Sequence, residues 1–241
     1  MSKKSQPEKR GIKKLNMPLL TVDSVLFTYH EKSLKLLLVQ RSSKPEKRKW
    51  GLPGGIVDVE IDKDIESTAL RKLVEKTSVR PPYLDQLETI GNQTRDPRGW
   101  SVTVAYTALI AHQDCAQHVS TVSDVRWVEI DEALKMKLAF DHRSIVLSAR
   151  ERMRQRALYS IAPGYALPEK FTLTELQHLH ELLIGKSIQK RSFRRRIEQA
   201  ELLAETGEKR QEGGRPAALY RLKDVSMTHR FVRNLEASQA P

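Results

Sequence analysis

The chain is short of several things that would otherwise decide its class. It has one cysteine, Cys115, among 241 residues. A single thiol forms no internal disulfide and builds no thiolate metal site alone, so a reducing cytoplasm is the expected compartment. Aromatic residues make up only 6%. The longest apolar runs, such as "LKLLLV", are far too short to cross a bilayer, so no membrane association is expected. The start is charged from Lys3 onward and has no apolar signal core, so secretion is not expected either. Acidic residues are scarce where they would matter most. Residues 186–196, "KSIQKRSFRRR", hold six basic side chains and no acid.

What is present describes a globular protein with a basic surface. Hydrophobic residues reach 39%, enough for a real core in one large domain or two modest ones. The formal net charge is +12, which favours polyanions: nucleic acid, acidic membrane or a phosphorylated ligand. The charge is clustered. Besides residues 186–196, the first fourteen positions carry Lys3, Lys4, Lys9, Arg10, Lys13 and Lys14 against Glu8 alone. Residues 1–16 therefore read as a basic arm, or equally as a disordered tail.

Local pattern divides the remainder. "TVDSVLFTYH" and "LKLLLVQR" are strand-like, with "EKS" able to turn a hairpin between them. "WGLPGG" is a turn cluster whose paired glycines permit close backbone approach. "DIESTALRKLVEKTS" has helical spacing, "SVTVAYTALI" is the clearest strand, and "FDHRSIVLSARERMRQRAL" is a long helix with Ile145, Ala149 and Met153 down one side. Two prolines and a glycine in "APGYALPEKF" mark a linker at 159–168. Beyond it, Thr172 and Glu175 are spaced as a capping box and Gly185 suits the helix exit. A basic helix comes next, with Phe193, Ile197 and Ala200 as its inner stripe, and then a hairpin through "GGRPAALYRL".

"WGLPGG" together with "LRKLVEKTSV" downstream resembles the Nudix box, whose pattern is a glycine, a spaced glutamate, then Arg-Glu-apolar-x-Glu-Glu-x-Gly. Gly55, Arg71, Leu73 and Glu75 match. Lys72 replaces the first glutamate of the run, Lys76 the last, and Ser78 the glycine. The stretch between Gly55 and Arg71 is two residues longer than the pattern, and Glu60 and Glu66, the nearest acids to the upstream position, are both out of register. Hydrolysis of a diphosphate in this way needs divalent cations held by several carboxylates. Residues three and four apart share a helix face, so two ammonium groups flank Glu75 there. No catalytic residue and no metal is expected. The lysines read either as ordinary helix-surface salt bridging or as positive charge standing in for metal near a diphosphate.

A frame without catalysis can still be a pocket. The ligand-binding candidates are Arg41, Trp50, Gly54, Gly55, Arg71, Arg95, Asp96, Arg98, Trp100 and His142. Arginines fork onto phosphate, Asp96 can accept a ribose hydroxyl, and the indoles can stack on a base. Competing readings stay open: core packing for Trp50, helix capping for His142, loop anchoring for Arg71.

The C-terminal third looks like a winged helix-turn-helix. Its DNA-binding candidates are Thr172, Thr174, Lys190, Arg191, Ser192, Arg194, Arg195, Arg196 and, in the wing, Arg215, with Lys13 and Lys14 from the arm. A wing and a helix suit duplex DNA better than RNA, whose A-form major groove does not admit a helix.

Together the two halves resemble the Nudix-related transcriptional regulators of NAD metabolism, over about residues 18 to 225, on "WGLPGG", "RDPRGW", "LPEKFTLTELQ", "KRSFRRRI" and "RPAALYRL". The resemblance implies an α+β protein: an N-terminal Nudix-like α/β/α sandwich with a mixed sheet over 17–158 and a winged helix-turn-helix domain over 169–235. It implies a homodimeric repressor of NAD biosynthesis or salvage genes that binds a palindromic operator, with ADP-ribose or a related nucleotide as effector and no cofactor. The competing reading is an active ADP-ribose hydrolase with a C-terminal oligomerisation domain.

Overall fold

The computed structural model describes residues 17–116, 119–211 and 216–223. Its first part is built on a mixed seven-stranded sheet. Strand β1 (Leu19–His30) is the hub. It pairs antiparallel with β2 (Ser33–Arg41) through a tight turn, and parallel with β6 (Ser101–Leu109) on its other side. Glu31 and Lys32 both take positive φ in that turn, the primed geometry that matches the twist of a hairpin. The short strands β3 (Trp50–Gly51) and β4 (Gly54–Ile56) carry the glycine turn back against β2 and β1. Strand β5 (Asp85–Asn92) extends the sheet beyond β6, and β7 (Val122–Glu129) pairs with β2.

Period-two alternation in β1 feeds a layer on each face. Val25, Phe27 and Tyr29 pack with Leu36, Leu38, Ile145 and Ala149, beneath helix α3 (His142–Tyr159). Val22 and Leu26 face the other way, in clusters shared with Ala69 and Leu73 of helix α1 (Ile65–Thr77). Helix α1 starts on a capping box between Asp64 and Ser67 and ends at Ser78, which takes the left-handed φ of 62° where the Nudix pattern has glycine. A short helix α2 (Ile130–Lys135) comes directly after β7.

The expected linker is not a loose tether. Residues Ala162–Ala166 form a 3-10 helix whose Ala162, Pro163, Gly164 and Ala166 are buried. Gly164 lies so close to Leu222 and Leu176 that a methyl group there would be 3.2 Å from the Leu222 side chain. The proline-glycine signal marks a real break in periodicity, but apolar residues on both sides, such as Ile161 and Leu167, fold the break into the interior. One hydrophobic core therefore runs from Val25 and Ile145 through Ile161 to Leu176, Phe193 and Ile197.

The second part contains α4 (Leu173–Ile184), α5 (Lys190–Ala200) and the hairpin β8 (Leu203–Arg210) and β9 (Ala217–Leu222). Helix α4 has both marked ends: Thr172 and Glu175 form the capping box and Gly185 closes the helix at φ 79°. The turn to α5 is pinned by Glu181, which accepts the Ile188 N–H at 2.8 Å, and by Gln177, which donates to the Ile188 carbonyl at 2.9 Å. Phe193 and Ile197 face inward and Ala200 is half-buried. Among the described residues no helix is long and apolar enough to cross a membrane.

Candidate functional site

A cavity of about 280 Å³ opens where β1, the glycine turn, α1, the 92–101 loop and the start of α3 meet. Six cationic side chains line it: Arg41, Lys44, Lys72, Lys76, Arg95 and Arg98. Only two carboxylates face them, Asp23 and Asp96. The size is near the lower end for ligand pockets, so the charge dominates what can enter.

The glycines are there for space. A Cβ on Gly54 would lie 2.6 Å from the Asp23 carboxylate. A Cβ on Gly55 would lie 3.1 Å from the stem of Lys72, which crosses directly over the turn. This close approach lets the Lys76 ammonium reach the Gly54 main-chain carbonyl. Lys76 is half-buried, and desolvation, with Arg41 adding to it, lowers its pKa to about 8.

The floor is a fixed polar network. Arg95 is buried and makes a two-pronged contact with Asp141, both bonds at 3.0 Å, while its Nη2 is 3.5 Å from Asp23. Thr103 donates to the same Asp23 oxygen at 2.8 Å. His142 Nδ1 accepts the Leu52 N–H at 2.8 Å, so its proton sits on Nε2, 3.4 Å from the other Asp23 oxygen. Burial lowers the His142 pKa, and the nearby Asp23 only partly offsets this. At the rim, Arg98 forks onto Asp96, which holds that carboxyl below its usual range. Arg41 lies 4.8 Å over the Phe140 ring and donates to the Pro45 carbonyl. Burial and the neighbouring Arg98 lower its pKa.

Of the ligand-binding candidates, the structure brings Arg41, Gly54, Gly55, Arg95, Asp96, Arg98 and His142 together around this cavity. Three others lie elsewhere. Arg71 points away from the cavity and holds Asp62 with two bonds of 2.6 Å and Glu75 with one of 3.0 Å. It anchors the loop, and Asp62, not Glu60 or Glu66, is the acid that answers it across the lengthened insertion. Trp50 packs against the main core with the Arg126 guanidinium 5.2 Å over its ring. Trp100 is half-exposed, and the edge of its indole lies against Gly91, where a Cβ would be 3.0 Å from the ring. Lys72 and Lys76 are also not simple surface salt bridges. Lys72 does approach Glu75, at 3.6 Å, but both lysines face the cavity.

Sequence reasoning missed Thr21, Asp23 and Phe140. Asp23 had a usable signal, since it is a single acid inside the apolar strand "TVDSVLF", and a buried carboxylate needs partners. Phe140 had none.

The second candidate surface is α5. Lys190, Arg191 and Arg195 are exposed, as is Thr174 on α4, while Arg194 and Arg196 are half-buried. Helix α5 has no side-chain N-cap and no acid in its first turn. Cations at a helix N-terminus oppose the macrodipole, so this arrangement costs stability and suits an external anion. Ser192 is buried within α5, and Thr172 is buried with its hydroxyl accepting the Glu175 N–H, so neither side chain is presented outward. Lys13, Lys14 and Arg215 lie outside the described residues.

A glycine-turn phosphate frame packed on a winged helix pair defines the class: a Nudix-type domain joined to a DNA reader. Residues 17–148 match the NUDIX domain model, and residues 163–222 match the NrtR DNA-binding winged helix domain. The chain belongs to the NrtR family. It is 43% identical over 219 residues, 91% of this chain and 88% of the other, to the ADPR responsive transcriptional repressor NtrR of Acinetobacter baylyi. Shewanella oneidensis NrtR, in a crystal structure with a 27mer DNA, superposes with a TM-score of 0.84 at 59% identity, over 90% of this chain and 99% of that one. The NUDIX domain of the same Shewanella protein, in a cocrystal structure with ADP ribose, matches at 56% identity and TM-score 0.57, covering 58% of this chain and 91% of that one.

Proposed function

We propose that the protein is a repressor of NAD biosynthesis or salvage genes in the cytoplasm. It binds a palindromic operator as a homodimer and is released when ADP-ribose, or a related nucleotide, occupies the Nudix cavity. The observation that carries this reading is the charge of that cavity: six cations against two acids, behind a glycine turn that admits a diphosphate. The name of the Acinetobacter relative, an ADPR responsive transcriptional repressor, and the Shewanella protein's complexes with DNA and with ADP ribose support it.

In this reading the pocket holds its ligand without consuming it. The divalent cations of a Nudix hydrolase do not fit the residues present. The remaining box acid, Glu75, has one oxygen on Arg71 and the other beside Lys72. Asp62 is taken by Arg71. The position from which a further carboxylate would reach a metal holds Lys76, whose ammonium repels one. A sensor gains from this, because hydrolysis would erase the signal.

DNA is engaged by Lys190, Arg191 and Arg195 of α5 in a major groove, with Arg194 and Arg196 toward the backbone. The Arg215 wing and the basic arm add further phosphate contacts. The test is a gel shift on the DNA upstream of NAD genes, with and without ADP-ribose, beside an assay of AMP release in magnesium. Operator binding reversed by ADP-ribose, with no turnover, is expected. Magnesium-dependent release of AMP on the order of 1 per second or faster would favour a hydrolase instead.

A further inference from the structure

We propose that Lys72 and Lys76 take the place of the divalent cations, so that the cavity binds the diphosphate of its ligand without any metal ion. This rests on the reading of the cavity as the effector site, and it names what recognises the ligand there.

The geometry supports it at both lysines. Among the described residues, neither Lys76 nor Arg41 has a carboxylate in salt-bridge contact. A half-buried ammonium with no carboxylate in contact is costly to the ligand-free fold, and a bound anion would offset that cost. Lys76 spends one N–H on the Gly54 carbonyl, leaving its other donors for ligand oxygens. Lys72 stretches across Gly55 to the same mouth, and its one acidic neighbour, Glu75, is 3.6 Å away and already bonded to Arg71. That contact is long enough to be exchanged for a phosphate oxygen. Both are compact point charges on flexible stems, the form in which lysine binds phosphate and the form a metal ion takes there. The Arg95 and Arg98 guanidiniums are already matched to Asp141 and Asp96. Of the box and strand cations, Lys76 and Arg41 are therefore without a carboxylate in contact among the described residues, and Lys72 has only its long contact with Glu75.

The experiment is calorimetric titration of ADP-ribose into the full chain, in EDTA and in millimolar magnesium. Equal affinity in the two buffers is expected. Lys76→Met and Lys72→Met should each weaken binding about 10–100-fold, the range for losing a charge-assisted contact, and Lys76→Arg should restore only part of it. Near-ultraviolet circular dichroism of each variant checks that the fold is kept. Binding that requires magnesium, or folded methionine variants that bind as the parent does, overturns the proposal. Inorganic pyrophosphate in the EDTA buffer separates the two levels of failure. A chain that binds pyrophosphate through Lys76 but ignores ADP-ribose keeps the metal-free diphosphate site and loses the effector reading. One that binds neither loses both.

Discussion

The Nδ1 atom of His180 lies 3.0 Å from the main-chain carbonyl oxygen of Ala157. Ala157 is near the end of α3, whose first residue, His142, lines the cavity. His180 is on α4, fully buried, with its ring edge-on to Phe193 of α5 at 5.4 Å. One helix and one imidazole thus join the cavity to the inner face of α5. Tyr29 makes a parallel link, its hydroxyl 2.7 Å from His178 Nδ1, on the same strand β1 that supplies Asp23 to the cavity.

The His180 contact should make the protein acid-sensitive. The carbonyl requires the proton on Nδ1, and Nε2 has no hydrogen-bond partner among the described residues. Burial lowers the pKa to about 4. The folded value is below the unfolded one, so the stabilising difference is complete above about pH 6.5 and is lost as pH falls toward 4. Urea unfolding at pH 7 and pH 5 should show a loss of about 1–2 kcal/mol, and His180→Phe should flatten that slope. An unchanged slope in the variant would assign the acid sensitivity to other groups.

Lys76 should trade stability for ligand binding. Its folded pKa of about 8 is below the unfolded value, so the charged form penalises the fold. The penalty is complete below pH 8 and fades as pH rises toward the unfolded pKa of about 10.5. Lys76→Met should therefore stabilise the ligand-free protein by about 1–3 kcal/mol at pH 7 and by much less at pH 10. Thermal unfolding at the two pH values measures this; a methionine variant with a lower Tm at pH 7 would mean that the ammonium is already compensated.

These two groups also show how far the sequence could be read. The individual strands and helices, the winged pair and the capping box of Thr172 and Glu175 are legible from periodicity and end signals, which are local; the sandwich comes from the resemblance to the Nudix box. So is the basic face of α5, because charge without acids is visible in one dimension. Arg71 and Asp62 were harder: the insertion after Gly55 shifts the acid out of the box register, and only the folded loop brings it back. The placement of Trp50 and Trp100 outside the cavity was not legible, because an aromatic beside a glycine turn gives no sign of which side of the sheet it takes. The burial of the linker segment was not legible, because proline and glycine end a helix whether the next segment is exposed or buried. His180 was silent, since its role needs a carbonyl from a distant helix.

On the DNA side, Arg191 and Arg195 are exposed on α5 and should carry sequence reading. Replacing either by alanine should cost about 1–3 kcal/mol and relax specificity at one base position. Truncating the arm before Leu15 should instead weaken all sequences alike and reduce the salt dependence of binding. Fluorescence anisotropy against an operator and single-base variants of it, at several salt concentrations, distinguishes these patterns. Normal operator binding by both arginine variants would place the reading helix elsewhere.

The last expectation concerns coupling. A ligand alters DNA affinity only if it prefers one arrangement of the paired readers, and half-sites about one helical turn apart tolerate little rotation. Filling the cavity acts on β1 and on the start of α3, and these elements meet α4 through Tyr29–His178 and Ala157–His180. Because the core is continuous across the two parts, a shift of α3 should pass to Phe193 instead of being absorbed between them. ADP-ribose should thus weaken operator binding by about 1–3 kcal/mol, and by linkage operator DNA must weaken ADP-ribose binding by the same factor. Tyr29→Phe removes the hydroxyl contact and leaves both sites intact, so it should lower the coupling while each separate affinity stays near that of the parent. Titration of ADP-ribose into free protein and into the protein–operator complex measures both sides of the cycle. Equal affinities in the two titrations would mean that the cavity does not control the reader. Undiminished coupling in Tyr29→Phe would leave α3 and His180 as the route.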